Sequence, residues 1–379
     1  MKFVFFCHAI SSCWNNGNAH FLRGVTRELA RLGHQVTVYE AEDGWSRLNA
    51  IRDGGADALT EAMGLIQGVA IRGYFEATPG LDSALEDADV VVAHEWNPRG
   101  LLEGLAERRK RGAAFQLLFH DTHHRAITAP DQITPDLLDG FDGALVFGEA
   151  LREVYLERAL APRVFTWHEA ADTALFQPRR NAEKQCDLIW IGNWGDEERT
   201  AELKEFLIAP AARLGLRTHV HGVRYPQAAQ QILSDQGIEY RGWLPNHRAP
   251  AAFAQARVTV HVPRGPYARS LPGIPTIRVF EALACGIPLI CSPWSDREGL
   301  FPPGTYLSVA SGAQMTDALA DVLNDGDLAS QLANKGVCAI HKSHTCAHRA
   351  AELVGIVEDL SRPAAATTRQ FRQAEAAHS

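Results

Sequence analysis

Short apolar runs closed by polar residues alternate with longer amphipathic stretches from the start of the chain. Residues 3–7 and 35–39 have the length of buried strands, and residues 18–32 between them repeat at helical spacing. Phe21, Leu22, Val25, Leu29 and Leu32 fall on one face of that helix, Asn18 is placed to cap it, and Gly33 is placed to end it. This is a βαβ unit. Further strands are expected at 89–93, 115–119 and 144–147, and in the second half at 187–191, 217–221, 238–241, 258–262 and 288–291. The alternation predicts two doubly wound α/β halves. In such sheets the ligand crevice lies at the carboxyl ends of the strands. The polar residues that follow these strands, among them His94-Glu95, His120-Asp121-Thr122-His123-His124 and Gly148-Glu149, are therefore expected to converge on one cleft.

The stretch Gly273-Ile-Pro275-Thr276-Ile-Arg278-Val-Phe-Glu281-Ala-Leu-Ala-Cys-Gly286 carries the most chemistry. Pro272, Gly273 and Pro275 interrupt preceding structure, and Thr276 can cap the helix that follows, so that free backbone N–H groups face the loop. A phosphate suits that position. Glu281 follows roughly 8 Å along the axis, the scale that separates a diphosphate from its ribose diol. An ordinary α/β connection with a solvated Glu would show the same spacing.

This segment resembles the donor-binding motif of GT-B glycosyltransferases, and Arg278-Val-Phe-Glu-Ala-Leu-Ala-Cys-Gly286 is most similar to the CgeB/YkvP-like group of the group 1 superfamily. Trp167-His-Glu-Ala-Ala-Asp172 resembles the segment between the two domains of such enzymes, and Arg27 to Val38 their first helix and second strand. The resemblance implies two Rossmann-like domains facing a cleft. It divides the chain into an acceptor domain (1–170), a linker (171–184), a nucleotide-sugar domain (185–343) and a helix crossing back to the first domain (344–361). The composition of 362–379 predicts a disordered tail.

Carried over residue by residue, the resemblance places His120 beside the transferred sugar, with Asp121 as general base or as a group orienting a histidine. It places Gly17, Asn193, Arg199, Thr276 and Arg278 near the diphosphate, Gly242 and Trp243 at the nucleotide base, and Glu281 on the ribose hydroxyls. The chain departs from the pattern twice. Asn193 stands where many relatives have an arginine, with Arg278 or Arg264 available to replace that cation, and Gly273 stands where many have a second glutamate. His123 and His124 are adjacent, so only one is expected to face the cleft. Glu40, at a strand end, reads as solvated.

Composition narrows the class. The 379 residues suit two domains, and a formal net charge of -8 argues against non-specific nucleic-acid binding. Seven scattered cysteines without a Cys-x-x-Cys pair argue against disulfides or structural zinc and fit a reducing cytoplasm. Asp87-Ala-Asp89 precedes its strand and Asp325-Gly-Asp327 is a turn, so neither is expected to hold a metal. No metal or cofactor is expected beyond the nucleotide-sugar donor. Arg108, Arg109, Lys110 and Arg111 end a helix, where cations complement the dipole; weak contact with an anionic membrane is the other use for them. The expected activity is metal-independent transfer of a sugar, of hexose type, to an unknown acceptor. The rivals are a non-catalytic two-lobed binding protein and a nucleotide-sugar epimerase or hydrolase.

Overall fold

The computed structural model describes residues 1–77, 80–179 and 181–362. The tail expected at 362–379 thus lies outside the described residues except for Arg362. Two all-parallel sheets follow one another along the chain. The first is formed by β1 (Lys2–Cys7), β2 (Gln35–Ala41), β3 (Ala70–Tyr74), β4 (Val90–His94), β5 (Gln116–Asp121), β6 (Gly143–Val146) and β7 (Val164–Thr166). Its spatial order is β3-β2-β1-β4-β5-β6-β7. The second contains β8 (Cys186–Ile191), β9 (Thr218–His221), β10 (Glu239–Tyr240), β11 (Ala256–His261), β12 (Leu289–Cys291) and β13 (Leu307–Ser308), in the order β10-β9-β8-β11-β12-β13. Each sheet begins in its middle and winds outward both ways, which creates a switch point where a crevice opens.

Continuous apolar strands follow from helices covering both sheet faces. In β1, Phe3, Phe5 and Cys7 enter the cluster under the first helix, Ala19–Arg31, while Val4 and Phe6 enter the one on the opposite face. In β8, Ile189 and Ile191 alternate in the same way with Leu188 and Trp190.

The last helix, Cys346–Ser361, packs on the first. Arg349 accepts a 2.9 Å bond at its carbonyl from the buried Trp167 indole, and the Val357 carbonyl accepts one from Gln116 at 3.1 Å. One apolar cluster runs from β1 through Trp167, Phe176 and Cys346 to Phe280 and Leu289, so the two sheets share a core at their junction. Among the described residues all seven cysteines are free, and no helix is long and apolar enough to cross a membrane.

Candidate functional site

A cavity of about 700 Å³ lies between the two sheets. The end of β1 and the loop after it open its first wall. Glu40, at the end of β2, is buried rather than solvated: its carboxylate accepts from the backbone N–H groups of Ile10, Ser11 and Ser12 at 3.0, 3.1 and 3.2 Å. That anchor shapes the loop leading to Asn15, Gly17 and Asn18 on the cavity wall. A side chain at Gly17 would meet the Ile277 Cγ2 atom at 2.7 Å, so the loop approaches the second domain closely. Asn18 occupies the cap position of the first helix without capping it; both its amide atoms are buried, unpartnered and on the cavity wall.

Cations gather on the second wall. Arg199, Arg224, Arg264 and Arg278 all line the cavity. The loop before Arg199 carries left-handed φ angles at Gly195 (+93°), Asp196 (+51°) and Glu197 (+72°), a strained turn that delivers the arginine to the start of the next helix. The Arg199 guanidinium donates to the Val262 carbonyl at 2.9 Å and to the Asn193 side-chain oxygen at 2.6 Å, and stacks 5.1 Å over the Trp190 ring. Burial and the neighbouring Arg264 pull its pKa down to about 9, which leaves it cationic at neutral pH. Asn193 also donates to Asn15 of the first domain at 2.6 Å and so ties the walls together.

Thr276 stands at the cap position of the helix Ile277–Ala284, yet its hydroxyl bonds His261 at 3.0 Å rather than the helix N–H groups. In the first turn the Ile277 N–H is met by the buried Glu169 carboxyl group, and the Val279 N–H by the Thr276 carbonyl at 3.0 Å. Arg278 lines the cavity and pairs with Glu281, whose carboxylate also lies 2.9 Å from His20. Glu281 itself is fully buried and does not line the cavity, so it stands one layer behind the wall on which the sequence reading placed it. Gly242 is half-buried and does not line the cavity either. Its φ of +68° makes a turn and its carbonyl accepts from Gly222, whereas the neighbouring Trp243 does face the cavity, with its indole N–H unpartnered.

The largest correction concerns His120 and Asp121. β5 continues two residues beyond the expected end, so both are strand residues, paired with Leu145 and Val146 of β6. His120 is enclosed by Trp167 at 4.9 Å and His94 at 5.2 Å, and burial pushes its pKa down to about 3. Asp121 is fully buried, accepting from the Tyr155 hydroxyl at 2.6 Å and the His123 backbone N–H at 3.0 Å. Burial raises its pKa and that of neighbouring Glu95, whose carboxylate accepts from the Thr122 N–H and from Arg125. The pair acts as an anchor for the loop after β5.

That loop supplies the wall instead. Thr122, His123 and His124 all face the cavity, and the two imidazoles lie 3.9 Å apart, so both adjacent histidines are on it. Burial and neighbouring positive groups lower their pKa values to about 2 and 4, and the rings are neutral at physiological pH. Further wall residues were not selected from sequence, among them His8, Trp45, Trp96, Glu169 and Arg224. His8 follows β1 directly, so the strand-end rule applied to the later strands would have found it. Glu169 is buried beside Glu281, and both burial and that charge raise its pKa well above the carboxylate range.

The basic run ends its helix as expected. Arg108, Arg109, Lys110 and Arg111 pair with Asp82, Asp142, Asp139 and Glu107 at 2.8, 2.8, 2.6 and 2.9 Å, which leaves little net charge there. Among the described residues no group of three or more His, Cys, Asp or Glu is arranged to hold a metal.

Residues 199–355 match a family model described as glycosyl transferase-like. No curated protein matches the chain. Solved structures resemble it over nearly its whole length. Sucrose-phosphate synthase from Thermosynechococcus elongatus aligns with a TM-score of 0.65 at 15% identity, covering 95% of this chain and 99% of that one. Anabaena Alr3699/HepE in complex with UDP aligns at 0.62 and 12%, covering 95% and 100%. An alpha-glucosyltransferase in complex with UDP aligns at 0.66 and 11%, covering 94% and 99%. At these identities the likeness is one of fold, and that fold is GT-B.

Proposed function

We propose that the protein is a glycosyltransferase that takes a hexose from a nucleoside-diphosphate sugar and passes it to an acceptor held by the first domain. The observation that carries this reading is the cavity wall on which Arg199, Arg264 and Arg278 gather beside the N-terminus of Ile277–Ala284. Cations beside the positive end of a helix fit a diphosphate. As the bond to the sugar breaks, charge grows on the leaving phosphate, and a buried guanidinium stabilises it more than an exposed one. The match over residues 199–355 supports the same activity. UDP is the first donor nucleotide to test, because two of the three structures named above are complexes with it.

His123 is our candidate for the group that receives or orients the acceptor hydroxyl proton. Its ring faces the cavity, its Nδ1 has no partner, and Asp121 holds its backbone. The arginines and the helix N-terminus supply the charge compensation that a divalent metal would otherwise give, so we assign a metal-independent reaction. The Arg278–Gly286 stretch supports placement in the CgeB/YkvP-like group, and the free cysteines fit a cytoplasmic site. Release of UDP from UDP-sugars, assayed across a panel of donors with and without EDTA, tests the reading. We expect release with at least one donor, undiminished by EDTA and reduced on the order of 10²-fold or more in Arg199→Ala. Activity abolished by EDTA and restored by Mn²⁺, or unaltered by loss of Arg199, contradicts it.

A further inference from the structure

We infer that the first-domain wall is a stacking platform for an uncharged pyranose, so that the acceptor is a neutral glycan; this rests on the transferase reading above. Trp45 and Trp96 line the cavity and remain 46% and 40% exposed, although most large aromatic side chains in the chain are buried. Each is braced by a neighbour. The Trp14 ring meets Trp45 edge-on at 4.8 Å and is itself fixed by a 2.6 Å bond from its indole N–H to Asp53. The Arg125 guanidinium lies 4.0 Å over Trp96, and Arg125 is locked to the buried Glu95 carboxylate at 2.8 Å. Bracing leaves the indoles rigid with surface open to the cavity, which lowers the ordering cost of stacking a ligand.

Between the two indoles sits His8, 6.5 Å from the Trp45 ring and 6.3 Å from the Trp96 ring. Burial lowers its pKa, so it offers a neutral imidazole rather than a charge. The cations near this wall are already committed: Arg125 to Glu95, and Arg47 to the Ser11 hydroxyl at 2.9 Å with Glu40 4.0 Å away. Across the cavity four arginines line the wall itself, although they too have partners: Arg224 pairs with Asp196 at 3.0 Å, Arg264 with Glu198 at 3.2 Å and Arg278 with Glu281, and Arg199 donates to Val262 and Asn193. The wall thus offers electron-rich aromatic faces with a neutral polar group at their edge and no free charge. A pyranose matches both features, since its axial C–H groups fit an indole face and its hydroxyls fit the imidazole. An anionic acceptor finds no partner there, and an alkyl chain has no use for His8.

Calorimetric titration of the UDP-saturated, full-length protein tests this with four probes: maltotriose, cellotriose, p-nitrophenol and glucose 6-phosphate. We expect at least one of the two glycans to bind, and Trp45→Ala and Trp96→Ala each to weaken it on the order of tenfold. Trp45→Phe and Trp96→Phe should keep most of the affinity, and UDP binding should stay within about twofold in all four variants, which reports intact folding. The inference is overturned if neither glycan binds, if only p-nitrophenol or glucose 6-phosphate binds, or if the alanine variants bind glycan like the wild type. Failure of the wild type to bind UDP would count against the donor reading instead. The same glycan titrations without UDP, and their dependence on Trp45 and Trp96, would then decide the platform.

Discussion

His120 has no hydrogen-bond partner on either ring nitrogen and is 1% exposed. Its folded pKa of about 3 lies below the ordinary 6.5, so on acidification the unfolded chain takes up the proton first. Stability is therefore full above about pH 6.5 and falls as pH drops toward the folded value. His120→Phe should remove about 2 kcal/mol of the loss seen between pH 7 and pH 5, measured by urea unfolding at the two pH values. An equal loss in both proteins would mean that the imidazole is hydrated. Glu169 and Glu95 act in the opposite direction, because raised carboxyl pKa values cost stability as pH climbs through and above the ordinary carboxylate range. Glu281 yields a second prediction. Read from sequence it is a ligand contact that fills no core, but it is fully buried against His20 and Arg278. Glu281→Ala should then destabilise the fold by about 3 kcal/mol, with Glu281→Gln losing less. Unfolding midpoints unchanged in both would return Glu281 to the role of a simple ligand residue.

Where an element ends decides which side chains reach the cleft. Apolar periodicity locates β5, but a strand buried on both faces tolerates polar residues at its end, so His120 and Asp121 extend it without any local signal. Hydrogen bonds from Tyr155 and the His123 backbone fix Asp121 there, and those partners are remote in sequence or main-chain. Cap positions were legible at Asn18 and Thr276, whereas the direction of their side chains was not, because both turn toward the cavity region instead of their helices. The crossing of the first and last helices is set by a small residue. A side chain at Gly24 would meet the Cys346 sulfur at 2.5 Å and Asp172 Cβ at 3.0 Å. Gly24→Ala should cost about 1–3 kcal/mol, and the cost should shrink when Cys346 is also Ala. Additive losses in thermal unfolding would show that the helices do not meet as described.

On the scale of the whole molecule, the two doubly wound halves could be read from short apolar runs alternating with amphipathic stretches, and the GT-B arrangement follows the same order along the chain. Sequence also brought Gly17, Asn193, Arg199, Trp243, Thr276 and Arg278 to one cavity. The first-domain wall was harder to read. Trp45 and Trp96 become neighbours of His8 only through the sheet order β2-β1-β4, which brings residues far apart in the chain to one edge. The proposed function rests on second-domain arginines holding a diphosphate in this interdomain cavity. Calorimetric titration of UDP, GDP and ADP, each against its own nucleoside, tests it most directly. One diphosphate should bind at least about 100-fold more tightly than its nucleoside, and Arg199→Ala should remove most of that difference. Diphosphate and nucleoside binding equally well, or a full difference surviving without Arg199, would contradict it.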